Sequence, residues 1–519
     1  MKRVGLALLL SASQAGATGF ADHGRDLGAK PEEQVRLDGY FRVRADVLYN
    51  LDLDRGPTPS GELLYPVPLG SSKGQTLTRA DMRLRTDLSI YAPGGMMAVK
   101  ARLDALDNVA LGSAPEGIPS ASSTQRTDGE TVSVKRVWGE ALTPFGALAI
   151  GRMGSHWGLG VLANAGDCLD CDSGDAADRI AFVTPLFGHF WAIAYDFSAT
   201  GPFVPDRSGS RSIDIAPSAA VHSVTFAVLA SRTDAARARR AAAGKHTLEY
   251  GAYAAHRWQD KDVPATYLPV AQPALVNDQQ VMARGYRATA ADLWTRVSGR
   301  GYRVEGELAF MTARVEQPSL IPGVLFRDAA TSRQLGGALE SEVGDAAGSY
   351  RLGMDAGYAS GDAAPGFGAF PGVNRPAPVP GDLDGPQARP PYDLTVNNFR
   401  FHPDYRIDRI LFREIIGTVT DAVYVKPHLR GDLFRFASGR LEASMFAVMS
   451  WAVNAESAPG QKRSLGVELD PSLSYQSRDG FVLALEQATF LPGAGLDNPE
   501  LGLRAKTAQL WRVSAAFTF

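Results

Sequence analysis

The sequence predicts an all-β protein: a transmembrane antiparallel β-barrel of about 18 strands (roughly 16–18), with long outer loops and one loop or helix segment folded inward. Three observations predict it. Apolar and charged residues alternate over stretch after stretch, the period of a strand whose two faces meet different media. The links between these stretches are alternately short and long. The chain of 519 residues holds no apolar run of about 18 or more, so no helix does the crossing.

At the start, Lys2 and Arg3 precede the apolar run Val4 to Leu10, and Ala15-Gly16-Ala17 offers small residues for cleavage. Residues 1–17 are therefore expected to be a signal peptide and 18–519 a single barrel. Export would place the chain in an oxidising compartment. From Thr78 to Tyr91, Met82, Leu84, Leu88 and Ile90 share one face, while Arg79, Asp81, Arg83, Arg85 and Asp87 share the other. Ala92-Pro93-Gly94-Gly95 turns the chain, and Val99 and Leu103 then oppose Lys100, Arg102 and Asp104. Leu465, Val467, Leu469, Leu473 and Tyr475 alternate with Glu468, Asp470, Ser472, Ser474 and Gln476. The final strand sets Trp511, Val513, Ala515, Phe517 and Phe519 against Arg512, Ser514, Ala516 and Thr518.

Strands are expected at 36–51, 77–91, 97–108, 131–142, 147–153, 179–186, 190–198, 219–233, 246–259, 286–298, 302–316, 332–344, 349–361, 420–433, 439–452, 464–477, 481–491 and 506–519. Short links fall near 92–96, 143–146, 187–189, 299–301, 345–348, 434–438 and 477–480. Long ones fall near 52–76, 109–130, 154–178, 199–218, 260–284, 317–331, 362–415 and 492–505. That is the pattern of periplasmic turns and outer loops. The link 234–245 (DAARARRAAAGK) belongs with the short ones by this count yet is long and basic; a small helix would account for it.

Lys+Arg 53 against Asp+Glu 56 leaves a net charge of −3, so no basic excess points to nucleic acid. Two cysteines exclude a disulfide-dense scaffold. No G-x-S-x-G, P-loop or H-E-x-x-H motif occurs, and His222 and Ser223 point to opposite faces of a strand, so no enzyme is expected.

The strand that ends on Phe519 resembles the closing strand of Gram-negative outer-membrane barrels, whose terminal aromatic is read by the barrel assembly machinery. Leu37 to Leu53, Leu103 to Gly112, Gly151 to Phe187 and Leu465 to Gly493 resemble an uncharacterised family of myxobacterial-type outer-membrane barrel proteins, and more distantly alginate-export-type porins. The resemblance implies a porin-like barrel in the cell outer membrane of a Gram-negative bacterium, with membrane lipid and the assembly machinery as partners. It implies no particular solute.

Three constellations are candidate sites. The loop 164–179 carries Asp167, Asp170, Asp172, Asp175 and Asp178 around Cys168 and Cys171. The acids around Gly174 echo a calcium loop without the Glu at its twelfth position, and calcium is the only cofactor the sequence suggests. The competing reading is a solvated acidic loop with one salt bridge to Arg179. In an oxidising compartment the two cysteines are expected to form a local disulfide. The second constellation is a charged wall: Arg42, Arg44, Arg79, Arg83, Arg85, Lys100 and Arg102 with Asp46, Asp81, Asp87 and Asp104 interleaved, opposed by Lys426, His428 and Arg430 with Glu340 and Glu342 on another strand. Such residues either set a transverse field that selects solutes by charge or pair with one another and stiffen the wall. The third is the Pro- and Gly-rich segment 362–415, whose apolar residues Phe399, Phe401, Ile407, Ile410, Leu411, Phe412, Ile415 and Ile416 need burial, as a constriction or partial plug. The expected function is passive, charge-filtered diffusion of small polar solutes, anionic ones if the basic ladder dominates. The alternative is an occluded barrel with a surface binding or structural role.

Overall fold

The computed structural model describes residues 19–70, 75–112, 132–264, 278–321, 323–345, 349–369 and 377–519. The expected signal peptide and most of the expected long links near 109–130 and 260–284 lie outside these residues. Eighteen strands form one antiparallel sheet in which each pairs with its neighbours in sequence, and β1 pairs with both β2 and β20 to close the barrel. The strands are β1 (Val35–Tyr49), β2 (Thr76–Tyr91), β3 (Met97–Ala110), β4 (Val132–Thr143), β5 (Gly146–Gly154), β6 (Ala176–Leu186), β7 (His189–Ala199), β10 (Val221–Ala230), β11 (Thr247–Asp262), β12 (Met282–Gly299), β13 (Tyr302–Val315), β14 (Ala330–Gly344), β15 (Tyr350–Ala359), β16 (Ala422–Arg435), β17 (Gly439–Ala452), β18 (Ser464–Ser477), β19 (Phe481–Pro492) and β20 (Ala508–Thr518). The remaining two, β8 (Phe203–Pro205) and β9 (Ser212–Asp214), make a small hairpin in the link after β7, which the sequence did not suggest.

Strand alternation decides which side chains meet which medium. Leu37, Val99, Leu293, Leu308, Leu339, Leu485 and Val513 face outward and are exposed, while Arg42, Arg83, Asp104, Glu307, Glu468 and Arg512 face inward and are buried. An apolar exterior around a charged interior is stable only where the exterior meets lipid. Aromatic side chains gather at both rims. Phe434, Phe436 and Tyr475, with Phe41, Phe481 and Phe517, neighbour one another at the short-turn end, and Tyr195, Phe197, His222 and Trp258 do so at the long-loop end. These positions suit rings that are part apolar and part hydrogen-bonding. Three charge pairs among the described residues lie on the outer face towards the long loops, Arg152–Asp178 at 2.7 Å and Arg287–Asp260 and Arg314–Glu316 at 2.6 Å.

Most links at the end where β1 begins and β20 finishes are tight. Gly301 makes one of them at φ +82°, and a Cβ there would fall 2.5 Å from the Gly344 carbonyl oxygen. The long basic link folds as α1 (Asp234–Ala242), capped where Thr233 accepts from the Ala236 amide. This helix also explains why the strand expected at 219–233 stops at Ala230. The Arg232 amide turns to the Glu249 carboxylate, and the helix begins. The strand expected at 286 starts four residues earlier, because pairing with β11 continues to Asp262 past an irregularity between Gln259 and Lys261.

The segment between β15 and β16 folds into the barrel. Phe367, Phe399, Phe401, Ile407, Ile410, Leu411, Phe412, Ile415 and Ile416 join a buried cluster with Leu48, Tyr424, Leu465, Phe490 and Leu510 of the wall. Among its described residues the one helical piece is a single wide turn, Leu411–Ile415. Burying so many large apolar groups fixes this segment as firmly as an ordinary core, at roughly 1.5–3 kcal/mol for each.

Leu308, in the middle of β13, is 52% exposed on the outer face. Leu308→Arg should cost about 2–4 kcal/mol in equilibrium unfolding from lipid bilayers, the price of a cation near the midplane.

Candidate functional site

The inner wall of β1 to β3 is built from charges that the sheet register places side by side. Asp46 stands opposite both Arg79 and Arg512, Arg44 opposite Asp81, Arg102 opposite Asp87, and Arg85 opposite Asp104. Cross-strand neighbours of opposite sign at such spacing form pairs. Arg85 reaches Asp104 with two bonds of 2.8 Å, Arg102 reaches Asp87 at 2.6 and 2.8 Å, and Arg512 reaches Asp46 at 2.6 and 2.9 Å. Arg83 bonds Asp107 at 2.6 Å, and Lys100 bonds Glu140 at 3.1 Å.

The loop between β5 and β6 comes down onto this wall. The Glu307 carboxylate of β13 accepts the backbone amides of Leu159, Gly160, Val161 and Leu162 at 2.5–3.3 Å, and Trp157 donates to Asp292 at 3.0 Å. The loop tip carries a disulfide between Cys168 and Cys171. Its carbonyls point at wall guanidiniums. Arg42 donates to Leu169 O at 2.5 Å, Arg83 to Cys171 O at 2.7 Å, and Arg85 to Gly166 O at 2.7 Å; Arg136 of β4 donates to Ala165 O.

The segment between β15 and β16 approaches the same tip from the other side. Glu468 of β18 accepts the amides of Arg409, Ile410 and Leu411 at 2.8–3.1 Å, much as Glu307 holds the first loop. Asp404 accepts the amides of Asp172 and Ser173 at 2.9 and 3.0 Å and the Ser173 hydroxyl at 2.8 Å, joining the two inward segments. Asp170 meets Arg413 at 2.5 Å, Arg44 at 3.0 Å and Arg406 at 3.1 Å; Asp172 meets Arg406 at 2.6 Å and Arg44 at 2.7 Å. Wall and loops thus share one network.

Although enclosed by the barrel, the side chains of Asp170 and Asp172 remain 42% and 35% accessible to water, and Arg79 remains 41% accessible beside Glu414. Burial pushes the Asp170 and Asp172 carboxyls up, but the guanidiniums of Arg413, Arg406 and Arg44 outweigh it and hold both well below the usual carboxylate range. The junction of wall and inward loops therefore shows water two ionised carboxylates backed by arginines.

Several expectations change. Lys426, Arg430, Glu340 and Glu342 do not form a separated opposing charge. Only β15 separates their strands, β14 and β16, and Arg430 pairs with Glu342, Lys426 lies 3.8 Å from Asp355, and Glu340 takes Arg303 at 2.9 Å. The acids of the β5–β6 loop do not converge on a calcium site. Asp167 faces Arg102 and Arg136, Asp170 and Asp172 face the arginines above, and Asp175 accepts the Asn164 amide at 3.2 Å. Asp178 lies on the outer face with Arg152. Among the described residues no three acidic, histidine or cysteine side chains could hold a metal. Arg179 binds Asp196 of β7 at 2.6 Å, not the loop. Arg136, Arg406, Arg413, Arg512, Asp404, Glu307 and Glu468 were missed as site residues. The run Arg406, Arg409 and Arg413 inside an apolar segment was the available signal, since arginines there need partners.

No family model and no curated protein matches the chain. Among solved structures, OprD of Pseudomonas aeruginosa is similar over 95% of this chain and 97% of its own, at 10% identity and TM-score 0.46. OccK11 (OpdR) of the same organism is similar over 96% and 99%, at 10% identity and TM-score 0.47. OpdK, solved with vanillate, is similar over 93% and 98%, at 12% identity and TM-score 0.45.

Asp46 and Arg512 are both nearly inaccessible, so Asp46→Ala should cost about 3–5 kcal/mol in equilibrium unfolding by stranding a buried guanidinium. The depressed carboxyls of Asp170 and Asp172 give stability that is present above the ordinary carboxylate range and lost as pH falls through their lower folded values. Resistance of the β5–β6 loop to proteolysis should accordingly hold from neutrality down to about pH 4 and fail only in stronger acid.

Proposed function

We propose that the chain is a porin-like channel of a Gram-negative outer membrane, passing small polar solutes by passive diffusion through a charge-filtering constriction. The observation that carries this reading is that Asp170 and Asp172 sit within the barrel yet keep 42% and 35% of their side chains wet. Ionised groups held well inside a lipid-facing barrel and still in contact with water line an aqueous space. Surface lipid would bind the apolar belt, and the aromatic C-terminal strand would be read by the assembly machinery. The filter is local. Most wall cations are spent on loop carbonyls and aspartates, so the charges a solute meets are Asp170, Asp172 and Arg79 rather than an unpaired ladder of arginines. An occluded barrel with a binding or structural role is the second reading, favoured by the buried apolar packing of the segment after β15.

Single-channel recording of the refolded protein in planar bilayers under a salt gradient tests both. Steady conductance supports the channel, and silence that persists in every folded variant supports the occluded form. Asp170→Asn with Asp172→Asn should move the reversal potential towards anion preference by removing two wet negative charges. A reversal potential that does not move would take this network off the permeation path.

A further inference from the structure

The interior holds a third segment that is neither a strand nor one of the two inward loops. Residues 19–28 run along the lumen from the short-turn rim to the β5–β6 loop. At the rim, the Gly28 amide donates to Gly95 O at 2.9 Å, in the turn between β2 and β3. At the inner end, the Gly19 amide donates to His156 O at 3.1 Å. Between them the attachments to the wall are made by side chains. Asp26 accepts from the Tyr91 hydroxyl at 2.6 Å and from Lys100 at 3.0 Å. Glu140 accepts the Gly24 amide at 2.9 Å and bonds the His23 ring at 3.2 Å. Phe20 is buried in a cluster with Met153, Trp157 and Ala181, under the Arg179 guanidinium at 5.1 Å from the ring centre.

Between this segment and the wall lies a cavity of about 240 Å³, lined among others by Lys100, Arg102, Arg136, Trp138 and Asp167. Arg102, Arg136 and Asp167 belong to the constriction network, so the cavity lies directly against the constriction. Its other side is formed by Gly19, Asp22 and His23 of the segment. The chamber thus lies between the network of the two inward loops and residues 19–28.

We infer that residues 19–28 are a displaceable internal stopper, and that the route through the barrel leaves the chamber along the β3–β5 wall, past Lys100 and Glu140, when the stopper withdraws. This rests on the channel reading. The segment suits the role because it takes no part in the sheet: one aromatic anchor and a few polar contacts hold it, and water can replace each polar contact. The inward segment after β15, by contrast, is sealed by its own apolar core.

The test compares single-channel conductance and open fraction of the full chain, a Δ19–28 variant, and Phe20→Ala with Asp26→Asn, each shown to be folded by heat-modifiable migration in gels. The deletion should raise conductance about twofold or more, by widening the path. The double substitution should raise the fraction of time spent open while leaving the fully open level near that of the deletion. If the deletion does not fold, the double substitution decides. A conducting parent whose variants conduct identically overturns the stopper and leaves the channel standing. A silent parent with conducting variants supports both. Silence from every folded form overturns both.

Discussion

Arginine inside a barrel is the constraint on which the rest of this structure turns. A guanidinium cannot shed its charge, carries five donors and must spend them when withdrawn from water. Arg42, Arg83, Arg85 and Arg136 stand on neighbouring strands, and wall aspartates alone cannot satisfy them. The carbonyls of Ala165, Gly166, Leu169 and Cys171 make up the shortfall. The loop tip is therefore more than a lid resting on the wall, because it completes the wall's hydrogen bonding. The acidic residues of the tip then bring in Arg406 and Arg413, which tie down the second segment. Geometry passes from wall to loop to loop through donors that have nowhere else to go.

The converse device holds the loops from β13 and β18. Glu307 and Glu468 each gather three or more consecutive backbone amides. An irregular loop carries unpaired amides that would be costly inside a membrane-depth cavity, and one carboxylate satisfies several at once. Guanidiniums of β1, β2 and β4 thus collect carbonyls while carboxyl groups of β13 and β18 collect amides, so these stretches of the two inward segments keep irregular backbone with partners for its polar groups.

How much of this was legible follows from the range of each signal. Strand alternation is local, so β2, β3, β18, β19 and β20, with the faces of Arg83, Asp104, Glu468 and Arg512, could be read directly. Strand ends were legible to within a few residues, because pairing past an irregularity at Gln259 or a helix beginning at Thr233 depends on partners far away in sequence or on a local cap. Partnerships were not legible. Nothing near Asp170 in sequence indicates Arg413, 243 residues away, and a cluster of aspartates reads as a cation site until its arginines are known. Residues 19–28 show no strand period and little composition bias, and their place in the lumen follows only from Glu140, Lys100 and Arg179 on the finished wall.

The strands also differ in reach. β5 has 9 residues and carries the outward pair Arg152–Asp178 near its far end, whereas β12 has 18 and meets its outward pair, Arg287–Asp260, late. From Gly146 to Arg152 the apolar path along β5 is about 20 Å, and with strands tilted by roughly 35–45° it rises only about 15 Å, while from Val297 to Arg287 it rises roughly 25 Å. Hydrocarbon of uniform thickness cannot match both. The surrounding bilayer must pinch beside β5 and β6, or the barrel axis must lean to equalise the two sides, and either response gives a round barrel a preferred azimuth towards its neighbours in the membrane.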